Sequence, residues 1–441
     1  MKRSIIALAL VGLFSASSYA ESHDITQALK ETPYATAAEL GIMEGLVVPK
    51  SKQVTKENAL QTPPYNRWSY QHMRMFYPSA DIQPSQSPID LEKDLQDLSH
   101  IKVKNSDGVM RSFADFLTET WTDSLIVIKG DKIVSEHYLN NMTPDTPHQM
   151  MSVTKSFGGL LALMAIDEGK FNEYDPVTLH VPELKQASGF DGATVAQVLN
   201  MTNSMDFTEH YADPTSGIRT YGAVLGWTAK VEGVEYPDNL YSYLQTLQID
   251  QAHKHGDIFH YQTPKTDVVN WITNRANGQT FQQALEQQLW SKLGTSGETY
   301  VLLDDNANLV AGGGLNATPM NLAKFATMML NDGEFNGEQV VSKGVIDQIA
   351  AGGNKEAFAN GPDVSENMPG GEWSYRAQWW VKHTPGAEAF MAIGIHGQWI
   401  YIDREHDIAI IKQSSAPDSV TPEQEAYDLN GLYAIVEALS K

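Results

Sequence analysis

The chain has no cysteine. That excludes disulfides, a thiol nucleophile, thiolate metal sites and a lipid-modified N-terminal cysteine, so stability must come from the core alone. Beyond the first twenty residues, no segment approaches the roughly 18 continuous apolar residues that a membrane-spanning helix needs. Basic residues are scarce: 31 Lys and Arg against 54 Asp and Glu give a formal net charge of −23. Such a surface repels phosphate backbones and anionic bilayers, which argues against a nucleic-acid partner. The excess acid reads instead as a solvated, halotolerant-looking exterior. There is no internal repeat and no low-complexity tract.

What is present is globular: 441 residues at 42% hydrophobic and 19% charged, enough for one large domain or two ordinary ones. Lys2 and Arg3, an apolar run from Ile5 to Phe14 and the small-x-small site Ser18-Tyr19-Ala20 predict a signal peptide over residues 1–20. The mature chain is therefore expected in a periplasm or secreted. Residues 21–105 lack periodicity and carry turn signals such as Thr62-Pro63-Pro64, which predicts an N-terminal extension packed on a body at 106–441.

Within that body, Phe113 to Thr120 reads as a short helix. "SLIVIKGDKIVSEHYL" (124–139) reads as a hairpin turning at Gly130-Asp131. The stretch from about 170 to 375 reads as a mostly helical inserted lobe, clearest in "TPKTDVVNWITNRAN" and "NLAKFATMMLNDGEF". A second hairpin is expected over 396–415, turning at Asp403-Arg404-Glu405-His406, and a closing helix follows it. The fold class is α/β (α+β): an antiparallel sheet flanked by helices plus a helical lobe, with the ligand site in the cleft between them.

One stretch suggests chemistry. In "MMSVTKSFGGLLALMAIDEG" (151–170), Ser152 and Lys155 stand three apart where a hairpin ends and an apolar helix begins. That places both on one face, near the positive end of the helix dipole, with the lysine against a core that lowers its pKa. The same four residues read equally well as a helix cap followed by a surface lysine. A second copy of the spacing, Ser99-His100-Ile101-Lys102, lies in a polar stretch with no helix after it and is taken as chance. A serine–lysine pair needs a proton carrier and a second oxyanion donor. Tyr261, in "GDIFHYQTPKTDVVNWI", and the glycine-bearing strand edge "IGIHGQWIYID" could supply them. They could also be an ordinary core tyrosine and a simple bulge.

His253, His255, Asp257 and His260 are close in sequence, but without a His-Glu-x-x-His motif they suit a polar strand face better than a metal site. No metal and no cofactor is expected. The Gly-x-Ser-x-Gly elbow of α/β-hydrolases is absent.

Taken together and in order, "SVTKSF", "FHYQTPKTDVVNW", "AGGGLNATPMNLAKF", "YRAQWW" and "IGIHGQ" resemble the serine β-lactamase and penicillin-binding-protein superfamily of the class C type. Within it they are most similar to the nylon-oligomer (6-aminohexanoate-dimer) hydrolase group. The resemblance runs from about residue 105 to the C-terminus. It implies Ser152 as acyl-forming nucleophile, Lys155 as its base and Tyr261 as acid/base to the leaving group. It also implies the N–H groups of Ser152 and Ile395 as the oxyanion hole, with Gly394 allowing close approach. Tyr211 is implied as a substrate amide contact, Trp379 and Trp380 as lining or supporting the cleft, and His396 as structural or substrate-orienting.

There are departures from that pattern. The usual Tyr-x-Asn is Tyr261-Gln262-Thr263, and the Lys-Thr-Gly strand is Ile393-Gly394-Ile395-His396; both imply loss of β-lactam recognition. An acidic residue that aids amide turnover in the aminohexanoate hydrolases is Gly222 here, which implies weak action on nylon dimer and relatively stronger esterase action. The expected partner is a small amide or ester substrate. A carboxylesterase, a D-amino-acid peptidase on the same machinery and a non-catalytic binder stay open as alternatives. Nothing in the sequence bears on oligomeric state.

Overall fold

The apolar runs from both ends of the body meet in one sheet. The computed structural model describes residue 25 and residues 29–441, so the expected signal peptide lies outside the described residues. In chain order, the elements that frame the site begin with β1 (Ser79–Asp81), α1 (Phe113–Glu119), β2 (Thr122–Lys129), β3 (Lys132–Tyr138), β4 (His148–Gln149) and α2 (Val153–Asp167). There follow α3 (Gly217–Leu225), α4 (Pro264–Asn277), β5 (Thr299–Leu302), β6 (Leu315–Ala317) and α5 (Pro319–Leu330). Last come β7 (Trp373–Arg376), β8 (Trp379–Lys382), β9 (Ala389–Gly394), β10 (Gln398–Asp403), β11 (Ile408–Ser414) and α6 (Pro422–Leu439).

Seven strands form an antiparallel sheet in the order β7-β8-β9-β10-β11-β2-β3. The two expected hairpins join within it, Ile410 of β11 standing opposite Val127 of β2. Ile126, Ile128, Ile400, Ile402 and Ile411 face a core shared with α2 and α5. Leu125, Val127, Tyr401, Ile408 and Ile410 face a second core under α1 and α6. Burial on both faces is why these strands read as unbroken apolar runs rather than as alternation. The helices start where local chemistry puts them. Ser112 and Asp115 form a capping box on α1, and Thr318 and Thr421 cap α5 and α6 with Pro at the first helical position.

Helix α2 is the central element. Thirteen of its fifteen residues are buried, so it has no polar stripe and behaves as a core helix. Its backbone rests directly on the turn before β8. A Cβ at Gly159 would come 1.9 Å from the Ala377 carbonyl oxygen, and Ser156 Oγ donates to Gln378 O at 2.6 Å. Gly159 therefore sets the depth at which α2, and with it Ser152, sits in the body.

Between residues 170 and 375 the helices are accompanied by a few short strands. β5 and β6 lie in this stretch and pair into a second antiparallel sheet, ordered β1-β5-β6-β4. These strands are three or four residues long and wholly buried, so they have no period-two signature to read. β1 comes from the N-terminal segment, with Ser79 opposite Leu302. The same segment adds Tyr70, Met73, Tyr77 and Ile82 to the main core. Arg67 Nη1 donates to buried Asp123 at 2.9 Å, and His148 and Ser415 also bind that carboxylate. Burial by itself would raise the Asp123 pKa; the Arg67 charge and those hydrogen bonds outweigh it and hold it below its ordinary value. Among the described residues, no helix is long and apolar enough to cross a membrane.

Candidate active site

Ser152 occupies the N-cap position of α2, but its side chain makes no capping bond. Its Oγ accepts from Lys155 Nζ at 2.7 Å, and the same ammonium donates to Gly312 O at 2.6 Å. The pair is thus a pair, and the reading of a cap plus a surface lysine does not hold. Lys155 is 1% exposed. Burial lowers its pKa to about 8 against the opposing pull of Glu209 and Asp267. Met151, just before Ser152, has φ +47°, a tight backbone that presents the serine at the mouth of the helix. The other Ser-x-x-Lys copy differs: Ser99 and Lys102 are both exposed, and Lys102 opens a short strand.

Tyr261 stands over this pair, with Lys155 Nζ 5.1 Å from its ring centroid. Its ring stacks on Trp380 at 5.7 Å and 26°, and its backbone N–H donates to Asp363 at 2.7 Å. Burial pushes the phenol well above its ordinary value and the Glu209 charge adds to this, while hydrogen bonding with Ser152 opposes it. The hydroxyl therefore keeps its proton at neutral pH.

On the facing side, β9 ends against the serine. A Cβ at Gly394 would lie 2.6 Å from Met150 O and 3.1 Å from Ser152 N. Only glycine lets the two backbones approach so closely. Ile395 follows in the turn, and among the described residues neither its N–H nor that of Ser152 donates to a backbone carbonyl.

Two members of the expected substrate set are placed elsewhere. His396 is buried, with φ +64°, and its Nδ1 meets Ala416 O at 2.7 Å. Burial lowers its pKa to about 4, so it is a neutral pin behind the turn and does not touch the cleft. Trp379 is fully buried beneath α2, donating to Ser156 O at 3.1 Å; its neighbour Trp380 is the one that lines the cleft. Tyr211 does reach the cleft and donates to Glu209 at 2.5 Å.

Several residues escaped sequence reasoning. Glu209 accepts from Tyr211, from Thr263 N at 2.7 Å and from Thr263 Oγ1 at 2.7 Å, tying the loop before α3 to the start of α4. Asp267 accepts from Tyr221 at 2.7 Å and from Gly312 N at 3.1 Å, while Gly312 O holds Lys155. Burial raises Asp267 to about 7. Gly312 has no room for a side chain, since a Cβ would meet Thr263 Cγ2 at 2.6 Å. Gln262, in the place of the usual asparagine, is fully buried and donates to Met205 O and Phe207 O, away from any substrate. Of the histidines close in sequence to Tyr261, His255 accepts from Ser204 N at 3.0 Å, and among the described residues no cluster of His, Asp or Glu is placed to hold a metal ion.

Ser152 lies between two clefts. The smaller, about 550 Å³ including its open mouth, is apolar and is bounded by Leu60, Met151, Ile218, Trp227 and Gly222. The larger, about 2000 Å³, runs past Tyr261, Trp380, Gly394 and Tyr211. Gln61, from the N-terminal segment, borders both.

A two-sided antiparallel sheet, a buried helix opening on a serine, and a lysine and tyrosine over that serine define a serine hydrolase of β-lactamase/transpeptidase-like fold. The family model described as Beta-lactamase matches residues 113–435, and the chain belongs to that family. The 6-aminohexanoate-dimer hydrolase of Paenarthrobacter ureafaciens is 34% identical over 361 residues, 82% of this chain and 88% of that enzyme. A solved Bacillus anthracis structure, provisionally named as a 6-aminohexanoate-dimer hydrolase, superposes with TM-score 0.80 at 27% identity, covering 89% of this chain and 99% of that one. The octameric penicillin-binding protein homologue from Pyrococcus abyssi, at 18% identity, shares the fold alone (TM-score 0.54, 73% of this chain and 75% of that one).

Proposed function

We propose that the protein is an exported hydrolase that cleaves small linear amides or esters through an acyl-enzyme on Ser152. The observation that carries this is the 2.7 Å contact from Lys155 to Ser152 Oγ, with burial bringing the lysine to about 8. A neutral lysine there takes the serine proton as Oγ attacks the carbonyl carbon. The oxyanion rests on the N–H groups of Ser152 and Ile395. The protonated Tyr261 gives its proton to the departing amine or alkoxide and is reprotonated through Lys155. Water then attacks the ester, with the same pair returning protons in reverse order. The buried, inward-turned Gln262 and the missing strand lysine weigh against β-lactams as substrates.

The test is covalent capture. Incubation with a fluorophosphonate, then peptide mapping, is expected to place one adduct on Ser152. An adduct on any other serine, or none, overturns the assignment. 6-Aminohexanoate dimer, D-Ala peptides and chromogenic esters assayed side by side separate the hydrolase, peptidase and carboxylesterase readings.

Tyr261→Phe is expected to slow amides by about 10²-fold and activated esters by less than about tenfold, because a nitrophenolate leaves without a proton. Equal losses on both substrates would remove Tyr261 from the proton-donor role.

A further inference from the structure

We propose that the smaller cleft takes an acyl chain ending in a carboxylate, which Arg219 binds; this rests on the acyl-transfer reading above. The orientation follows from which cleft holds the proton donor. Tyr261 lines the larger cleft and not the smaller, so the leaving group lies in the larger one. The acyl chain then occupies the apolar side.

Arg219, on α3, borders that apolar side and is half-buried. Arg67, Arg74, Arg111, Arg275, Arg376 and Arg404 each hold a carboxylate within 4 Å. Among the described arginines, Arg219 alone has none. Its side chain makes one long contact, 3.4 Å from Nη1 to Gln61 Oε1. No Asp or Glu lines the smaller cleft, whose only other cation is Lys155. A guanidinium held on an apolar wall without a counter-ion is a ready partner for a carboxylate, which it can grip with two parallel N–H groups.

The larger cleft has the opposite character. Glu209, Asp363, Asp418 and Glu425 line it, so an acidic group placed there meets like charge. Arg219 also borders this cleft, where four acids outnumber it. The charge pattern therefore selects half-esters or monoamides of aliphatic dicarboxylic acids, with the free acid on the acyl side and a neutral or cationic leaving group. The absence of an acid at Gly222 fits this, because an acid there would compete for Arg219.

The experiment compares three p-nitrophenyl esters of equal chain length, made from hexanoic acid, adipic acid and 6-aminohexanoic acid. The wild-type kcat/KM is expected to be about tenfold or more higher for the adipate than for the hexanoate, the range of a charge-assisted hydrogen bond, and lowest for the amino ester. Arg219→Gln should bring the adipate-to-hexanoate ratio to about one, and Arg219→Glu should invert it. Raising the salt should shrink that ratio in the wild type while leaving the hexanoate value unmoved, a measurement that needs no variant to fold. Hexanoate turnover with no advantage for adipate overturns the carboxylate proposal and leaves the acyl-transfer reading standing. Failure of all three esters, together with no fluorophosphonate adduct, overturns both.

Discussion

Lys155→Met is expected to lower kcat/KM by about 10²- to 10⁴-fold on amides and esters alike, the range for loss of a positioned general base. Methionine matches the lysine stem in length and carries no charge, so it fills the pocket without burying an ion and leaves Ser152 where α2 puts it. Lys155→Arg should be as inactive for a different reason, since a guanidinium stays protonated at every accessible pH. The wild-type pH profile carries the same information with a definite sign. Only the neutral lysine can accept the serine proton, and its pKa is brought down to about 8. Log kcat/KM should therefore rise with unit slope as pH increases toward 8 and flatten above it. The Tyr261 phenol, shifted upward, leaves the alkaline side open. Asp267 opposes the lowering of Lys155, so Asp267→Asn should move the rising limb to lower pH. A profile flat from pH 6 to 10, or a Lys155→Met enzyme within tenfold of wild type, would take Lys155 out of proton transfer.

The residues that can be read from sequence are those whose partners lie in the same short stretch or whose neighbours form a strong element. Ser152 and Lys155 are three apart at the start of a helix whose apolar run is visible, and Gly394-Ile395 precedes a plain hairpin. Other assignments needed register. Trp379 and Trp380 are adjacent on β8, and adjacent strand residues point to opposite faces, so which of the two meets the cleft depends on a pairing that sequence does not give. His396 stands beside Ile395, the proposed oxyanion donor, in the chain, yet a left-handed turn carries it behind the strand. Glu209, Asp267 and Gly312 act through contacts 45 to 157 residues away in the chain, so no local pattern marks them. The N-terminal segment is the extreme case. Its residues 60 and 61 wall the smaller cleft, but only the folded chain brings Leu60 and Gln61 to Ser152.

Gly394→Ala is expected to cost about 10²- to 10³-fold in kcat with a smaller change in KM, the size of effect that follows loss of one oxyanion donor. The added methyl would meet Met150 O at 2.6 Å and Ser152 N at 3.1 Å. Both are backbone atoms in segments that cannot rotate out of the way. Met150 N is bonded to Leu315 O at 2.9 Å, and Val153 N to Met150 O at 3.1 Å. The strand end must therefore move instead, and the movement falls where Ile395 presents its N–H. The pinned turn beyond it resists, since His396 N donates to Ser419 O at 2.8 Å and its ring holds Ala416 O. The strain thus concentrates at the donor pair rather than spreading along β9. Because the oxyanion forms only as the reaction proceeds, the loss should appear in kcat for every ester and amide, while the labelled fraction of Ser152 at long times stays complete. Thermal unfolding measured alongside distinguishes a displaced donor from a collapsed fold. A Gly394→Ala enzyme with wild-type kcat would show that the oxyanion is held somewhere other than between β9 and the first turn of α2.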